Sequence, residues 1–190
     1  MKHLCSIFMI VAVLAMGVNL PAKASDWQLE AVAGINFATV DHEGIGFRHG
    51  FHSGLRLTRE IPKVTPGFYV NAAALLSLKG FKTDSVSYNP FFLDIPIHAG
   101  YKYEIDDNIA MYAEGGSYIG VGLFGKRAGK NVFSDVVGYK RFDFGIGVRG
   151  GIQIYKRYSI SVGGDFGFLR VTRDFSSKPR NVFISLGYRF

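Results

Sequence analysis

Apolar and polar residues alternate with a period of two along most of the chain, from Trp27 to the C-terminal Phe190. This is the period of a β-strand, whose successive side chains point to opposite faces of the sheet. Beyond residue 24, no segment longer than a few residues has the 3.6-residue period of a helix. The pattern therefore predicts an all-β protein. The alternation is clearest where the apolar positions are Phe142, Phe144, Ile146, Val148 and Ile152.

Eight such runs are joined by connections of two lengths, which alternate along the chain. Each run has the 9 to 11 residues that a tilted strand needs to cross a bilayer. In transmembrane barrels, short turns on the periplasmic side alternate with long loops outside. The sequence thus predicts an eight-stranded antiparallel up-and-down transmembrane β-barrel. The short connections are 62–66, 104–108 and 155–157, and the long ones are 39–48, 79–90, 124–138 and 170–180.

Alternation alone also fits a soluble periplasmic ligand-binding barrel with an apolar interior. The polar face, however, carries many glycines, which suit the crowded interior of a small barrel. The apolar face has almost no charge at mid-strand, where a lipid-facing arginine would cost about 2 to 4 kcal/mol. We therefore expect the apolar face to meet lipid. Aromatic residues near the strand ends predict a periplasmic girdle of Trp27, Phe68, Tyr101, Tyr103, Tyr158, Tyr188 and Phe190, and an outer girdle of Phe37, Phe51, Phe91, Phe142 and Phe168.

The N-terminus reads as a secretory signal. A short basic start precedes the apolar run Leu4–Leu20, and a small-x-small triplet follows it. This pattern predicts a signal peptide, residues 1–24, that is cleaved between Ala24 and Ser25. The remaining residues, 25–190, suit a single outer-membrane β-barrel domain.

Composition adds little chemistry to this picture. Aromatic residues make up 15% of the chain and it has 24 glycines, both high for a soluble globular protein. Cleavage would lower the net charge from +7 to +5, and the basic residues are dispersed, which gives no nucleic-acid signal. The only cysteine, Cys5, would leave with the signal peptide. The sequence therefore predicts neither a disulfide nor a cysteine metal ligand.

Several strand segments in the second half of the chain form a recognisable set: 93–97 (LDIPI), 101–103 (YKY), 112–118 (YAEGGSY), 142–145 (FDFG) with Gly147, and 185–190 (SLGYRF). With them, the chain from Phe92 to Phe190 resembles the outer-membrane β-barrel domain family that includes PorT-like proteins; OmpA-like or opacity-type barrels are the alternative. The resemblance implies an eight-stranded barrel in the outer membrane of a Gram-negative cell. It also implies that the terminal Phe190 is read by the barrel-assembly machinery, and it links PorT-like members to a protein-secretion system.

Charged residues recur on the predicted inner face. They could form a proton or ion relay, but a salt-bridged plug explains them better, because an unpaired buried charge is costly. The predicted lumen charge network consists of Glu30, Arg56, Asp94, Glu114, Arg141, Asp143, Arg149 and Asp165, with Lys102 and Arg189 beside it.

Basic residues gather in the third and fourth long loops, at the predicted outer rim. Such residues bind phosphates through charge-assisted hydrogen bonds, so outer-membrane lipid, lipopolysaccharide or an acidic protein at the loops is the expected partner. Loop solubility is the simpler explanation. The residues are Lys126, Arg127, Lys130, Arg170, Arg173, Lys178 and Arg180.

No catalytic, cofactor or metal site is predicted. Histidines 49 and 52 lie in a group with Asp41, His42 and Glu43, but three positions apart on a strand they face opposite sides. His52 and Ser53 are neighbours and diverge for the same reason. We therefore expect a non-enzymatic integral outer-membrane protein with a structural or interaction role; the alternatives are an accessory component of protein secretion, a lipid-modifying enzyme and a soluble periplasmic binder.

Overall fold

The computed structural model describes residues 27–41, 46–82, 86–127, 129–134, 138–171 and 178–190. Within these ranges no helix is long and apolar enough to span a membrane. The described residues form nine strands, of which eight are long and β6 is a two-residue strand that folds back onto β5. The predicted signal peptide, with Ala24 and Ser25, lies outside them. The strands are β1 (Trp27–Val40), β2 (Arg48–Glu60), β3 (Phe68–Leu78), β4 (Tyr88–Glu104), β5 (Ile109–Arg127), β6 (Lys130–Asn131), β7 (Phe142–Ile154), β8 (Tyr158–Gly167) and β9 (Pro179–Arg189).

The eight long strands close into a barrel. Their order is β4-β3-β2-β1-β9-β8-β7-β5, every pairing is antiparallel, and β4 also pairs with β5. The first and last strands meet along a seam that extends from Glu30 opposite Arg189 to Val40 opposite Pro179. Closure removes the unpaired strand edges that an open sheet would present. The predicted eight-stranded up-and-down barrel is confirmed.

The two faces of the wall have opposite chemistry. On the outside, Leu55, Val148 and Val162 are 50 to 57% exposed. On the inside, Glu30 and Arg56 are buried. A barrel with an apolar outer wall and a polar interior suits lipid and does not suit water, which argues against the soluble alternative.

Aromatic side chains border the apolar wall at both ends. At the end with the short turns, the periplasmic end, Tyr158 lies 5.5 Å from Tyr188 between ring centres. At the opposite, extracellular end, Phe91 stacks on Phe124 at 4.8 Å. Tyr158, Tyr188 and Phe91 belong to the girdles expected from the sequence, whereas Phe124 was expected in a loop.

The β4–β5 hairpin is longer than predicted. The two strands have 17 and 19 residues and pair from Glu104 opposite Ala110 to Tyr88 opposite Arg127. They therefore extend into two segments that the sequence assigned to loops. At about 3.3 Å per residue, the hairpin is long enough to project beyond the bilayer on the extracellular side.

An apolar cap closes the extracellular mouth of the barrel. Phe81 and Val132 are fully buried within it, and Phe81 stacks on Tyr88 with ring centres 4.3 Å apart. The cap separates the polar lumen from the outside, which is a feature that the alternation pattern did not predict. Its members are Val40, Phe81, Tyr88, Phe92, Val132, Tyr139 and Val171, with Phe133 packed against them.

Candidate functional site

Beneath the apolar cap, polar side chains fill the lumen in layers. In the periplasmic layer, Arg56 donates a 3.2 Å hydrogen bond to Glu30, and the hydroxyl of Ser159 donates to the same carboxylate. Lys102 donates to Glu60 at 2.6 Å. Each of these buried or partly buried charges has an opposite charge beside it, which offsets the cost of removing it from water.

Glu114 is the hub of the central layer. Its Oε2 accepts hydrogen bonds from the Tyr69 hydroxyl at 2.9 Å and the Asn71 amide at 2.8 Å. Its Oε1 lies 3.2 Å from Nη1 of Arg149 and 3.4 Å from Nδ1 of His98. One carboxylate thus joins side chains from β3, β4 and β7.

A second central group links the first strands of the barrel to the last. Nδ1 of His52 lies 2.7 Å from Oδ1 of Asn36, and its Nε2 lies 2.8 Å from the hydroxyl of Ser185. The Asn36 amide nitrogen donates to the carbonyl oxygens of Phe51 and Leu78, so its Oδ1 is left to accept from His52. The neutral ring then accepts a hydrogen bond from Ser185.

A serine beside a histidine that a third side chain orients also occurs in hydrolases, where the histidine takes the proton of the serine. Here Ser185 is only 2% exposed, and the adjoining cavity of about 20 Å³ has room for a water molecule but not for an acyl substrate. The sequence missed this group because its members come from three different strands. The arrangement supports interior packing rather than acyl transfer.

In the extracellular layer, one lysine faces three carboxylates. Nζ of Lys79 lies 2.7 Å from Asp94 and 3.6 Å from Asp165, and 5.0 Å from the ring centre of Tyr118. The Tyr118 hydroxyl donates a 2.8 Å hydrogen bond to Asp143. Lys79 is thus the cation that holds this layer together.

Seven of the eight residues predicted for the lumen network lie in the lumen: Glu30, Arg56, Asp94, Glu114, Asp143, Arg149 and Asp165. The prediction was wrong for Arg141, which is exposed and donates from Nη1 to the carbonyl oxygens of Gly122 and Leu123. It precedes the first residue of β7, so the alternation of that strand does not apply to it. Conversely, Lys79 falls within the predicted loop 79–90, although it continues the inward-facing series of β3 two residues beyond Ser77.

The predicted basic residues at the extracellular rim differ in their surroundings. Arg180 donates a 2.7 Å hydrogen bond to Asp41, and this contact holds the pKa of that carboxyl below its usual value. The guanidinium of Arg127 lies 4.7 Å from the ring centre of Tyr88. Arg173 lies outside the described residues, as do His42 and Glu43. Lys178 is also exposed, and its charge acts on the same Asp41 carboxyl. The other exposed members of the predicted set have no carboxylate partner within the described part of the chain: Lys126, Lys130 and Arg170.

The histidine group considered as a metal site does not converge. His49 faces outward, 5.4 Å from the ring of Phe37, whereas His52 faces the lumen. Among the described residues, no group of three or more histidine, cysteine, aspartate or glutamate side chains could hold a metal ion.

An apolar outer wall, two aromatic girdles and a polar, capped lumen define an integral outer-membrane β-barrel. The chain belongs to the outer membrane protein β-barrel domain family, whose model matches residues 14–173. This confirms an outer-membrane β-barrel family and the expected location in the outer membrane, whereas the resemblance to PorT-like members stays a prediction. No curated protein matches the chain.

Solved structures agree on the fold. Neisserial surface protein A is 12% identical, with a TM-score of 0.58 over 87% of this chain and 98% of its own. The outer membrane enzyme PagL is also 12% identical, with a TM-score of 0.51 over 83% of this chain and 98% of its own. At these identities the likeness concerns the fold alone, and the fold does not decide between an enzyme and a binding protein.

Proposed function

We propose that this protein is a non-enzymatic outer-membrane barrel that acts as an interaction component, with its extracellular rim binding anionic surface molecules, chiefly the phosphates of lipopolysaccharide. The observation that carries the proposal is the set of exposed rim cations that have no carboxylate partner among the described residues, Lys126, Lys130 and Arg170. They lie at the extracellular end, where an outer-leaflet headgroup meets the barrel wall. Charge-assisted hydrogen bonds from such cations to phosphate are strong and directional.

The interior supports a role at the surface rather than transport. Side chains fill the lumen of an eight-stranded barrel, and here the buried Phe81 and Val132 of the cap close its mouth as well. Cavities in the lumen of about 20 to 30 Å³ hold single waters rather than a solute. Binding is therefore assigned to the loops and the outer wall.

The test compares two triple charge reversals in the full chain folded into detergent micelles. One variant carries Lys126→Glu, Lys130→Glu and Arg170→Glu at the rim; its matched control reverses three exposed residues of the periplasmic turns, Lys63, Lys156 and Arg157. We expect the rim variant to lose binding of purified lipopolysaccharide, at about five-fold per cation, while the control retains it. Equal binding by both variants would overturn the proposal.

The absence of enzymatic activity has its own test. The Asn36, His52 and Ser185 group is the described arrangement closest to a hydrolase, so a fluorophosphonate probe is applied to the wild type and to Ser185→Ala. We expect no labelling of either protein, because Ser185 is buried. Labelling of the wild type that Ser185→Ala abolishes would show a reactive serine and contradict the proposal.

The resemblance to PorT-like proteins favours a second candidate role, as an accessory component of protein secretion. It rests on the segments 93–97, 112–118 and 185–190. The first two lie in strands β4 and β5, and the third lies in β9 up to Arg189. This role predicts that the protein co-purifies in gentle detergent with large membrane partners, and that its deletion impairs secretion. If the protein purified without such partners and its deletion did not impair secretion, the secretion role would be wrong and the lipid-binding role would stand.

A further inference from the structure

One irregularity interrupts the barrel wall between β4 and β5. Phe91 pairs with Phe124 and Phe92 pairs with Gly122, so Leu123 has no partner across the ladder. Such a β-bulge bends the strand and re-aims the side chains that follow it. Leu123 and Phe124 are consecutive, yet both are exposed, by 42% and 55%. In a regular strand one of them would face the lumen.

Beyond the bulge, the inside and outside positions of β5 are exchanged. Up to Gly122, the even-numbered residues face inward, as Glu114 and Tyr118 do. Gly125 now faces inward, because a Cβ atom there would lie 2.7 Å from Val132 in the apolar cap. Lys126, which unbroken alternation would turn toward the interior, is exposed on the outer wall.

The outer wall beneath Lys126 is aromatic. Phe124, two residues below it on the same face and thus about 7 Å away along the strand, stacks on Phe91 of β4. The ring of Phe91 in turn meets the edge of Phe51 on β2 at 5.9 Å. Opposite Lys126 in the ladder is Asn89, whose side-chain oxygen is buried and accepts no hydrogen bond.

A second cation at the rim also lies beside an outward-facing aromatic ring, but its charge is already neutralised by a carboxylate. Arg180 lies above an outward aromatic ring, that of Phe166, with 5.8 Å to the ring centre, and it is paired with Asp41. Lys126 has no carboxylate beside it within the described residues. A ligand that pairs with Lys126 must therefore carry an anion. Because the adjoining strip of the outer wall is aromatic, we expect the same ligand to carry an apolar chain.

We propose that a phosphorylated glycolipid of the outer leaflet binds at the bulge site, which we define as Asn89, Phe91, Leu123, Phe124 and Lys126. A phosphate accepts hydrogen bonds from the Lys126 ammonium group, which lies opposite Asn89 in the ladder. An acyl chain lies along Leu123 and the Phe91–Phe124 pair, where aromatic rings at the membrane border favour it. The site rests on the proposed function and locates its lipid contact.

The test measures lipid binding by native mass spectrometry on the full chain folded in detergent micelles. The probes are diphosphoryl lipid A and its dephosphorylated form. The variants are Lys126→Ala and Phe124→Ala, with Arg180→Ala as the matched rim control. We expect Lys126→Ala to weaken binding of diphosphoryl lipid A about five-fold and to leave the dephosphorylated lipid unaffected. Phe124→Ala weakens both lipids, and Arg180→Ala changes neither by more than about two-fold.

The outcomes separate this inference from the proposed function. If the wild type binds both lipids equally, neither stands. If it prefers the phosphorylated lipid, and Lys126→Ala binds like the wild type, the rim function stands and the bulge site is wrong. Loss of binding in Lys126→Ala but not in Phe124→Ala would show that the phosphate is bound without the proposed acyl-chain contact and would also overturn the site. Because both side chains are exposed, heat-dependent gel mobility is expected to show that every variant folds.

Discussion

His52 and Ser185 are 133 positions apart in the sequence, yet their side chains meet at 2.8 Å in the lumen. His52 belongs to β2 and Ser185 to β9, on either side of β1, so the contact bridges the seam where the sheet closes. Asn36 of β1 completes the bridge at 2.7 Å. The interior therefore helps to fasten the first strands of the chain to the last.

Removing the imidazole at the centre of this bridge should destabilise the barrel. His52→Ala leaves Asn36 Oδ1 and the Ser185 hydroxyl buried without partners, at about 1 to 3 kcal/mol for each group. Urea unfolding in lipid vesicles, followed by the fluorescence of the single tryptophan, Trp27, measures the change. His49→Ala on the outer face of the same strand is the control and is expected to cost less than about 1 kcal/mol. Equal losses for both variants would contradict the assigned role of His52.

Lys79 should be indispensable to the extracellular layer. Lys79→Met keeps most of the side-chain volume but leaves Asp94, Asp143 and Asp165 without their shared cation, which is expected to cost about 3 to 5 kcal/mol. A second change, Asp94→Asn, removes one of the repelling carboxylates and should recover part of the loss. Lys82→Met, at an exposed position three residues further on, is the control. If the double variant were no more stable than Lys79→Met in the same urea measurement, the ion-pair assignment would be wrong.

The barrel could be predicted from the sequence because each strand repeats the same two-residue signal. If the bounds of one strand are predicted wrongly, the number of strands and the alternation of short and long connections are still predicted correctly. The errors lie at strand ends, where alternation cannot say how far a strand continues. Arg141 was assigned to a strand that begins one residue later, and Lys79 was excluded from an inward-facing series that it extends.

The cap and the bulge could not be predicted in this way. Phe81 comes from the connection between β3 and β4, whereas Val132 and Tyr139 come from the one between β6 and β7. Their meeting depends on how these two connections fold over the mouth. The bulge depends on the pairing of Phe91 and Phe92 with β5, which the sequence of β5 alone does not contain. Both features are set by tertiary packing, which overrides local pattern.

Two glycines of β7 provide a test of which face is crowded. A Cβ atom on Gly147, inside the barrel, would lie 2.9 Å from Oδ1 of Asp165 and 3.1 Å from Nε2 of His98. On Gly150, which faces outward, the nearest atom would be 3.7 Å away. Gly147→Ala should therefore destabilise the barrel by about 1 to 3 kcal/mol through overpacking, whereas Gly150→Ala should be neutral within about 0.5 kcal/mol. If Gly150→Ala lowered the free energy of unfolding in urea more than Gly147→Ala did, the assignment of the inner and outer faces would be wrong.

The rim pair of Asp41 and Arg180 makes stability depend on pH in a predictable direction. Arg180 donates to the Asp41 carboxylate, and the pKa of Asp41 lies below its usual value of 3.8. A carboxyl whose pKa is lower in the folded state contributes stability above its unfolded pKa and loses that contribution as the pH falls through the folded pKa. The difference in unfolding midpoint between the wild type and Asp41→Asn should thus be constant from pH 7 to about 5 and vanish at more acidic pH. It should also shrink with added salt, because the pair is exposed.

An NMR titration of the Asp41 carboxyl carbon measures the pKa directly, and Arg180→Ala should return this pKa toward 3.8. An unshifted pKa in the wild type would show that the pair does not form in solution.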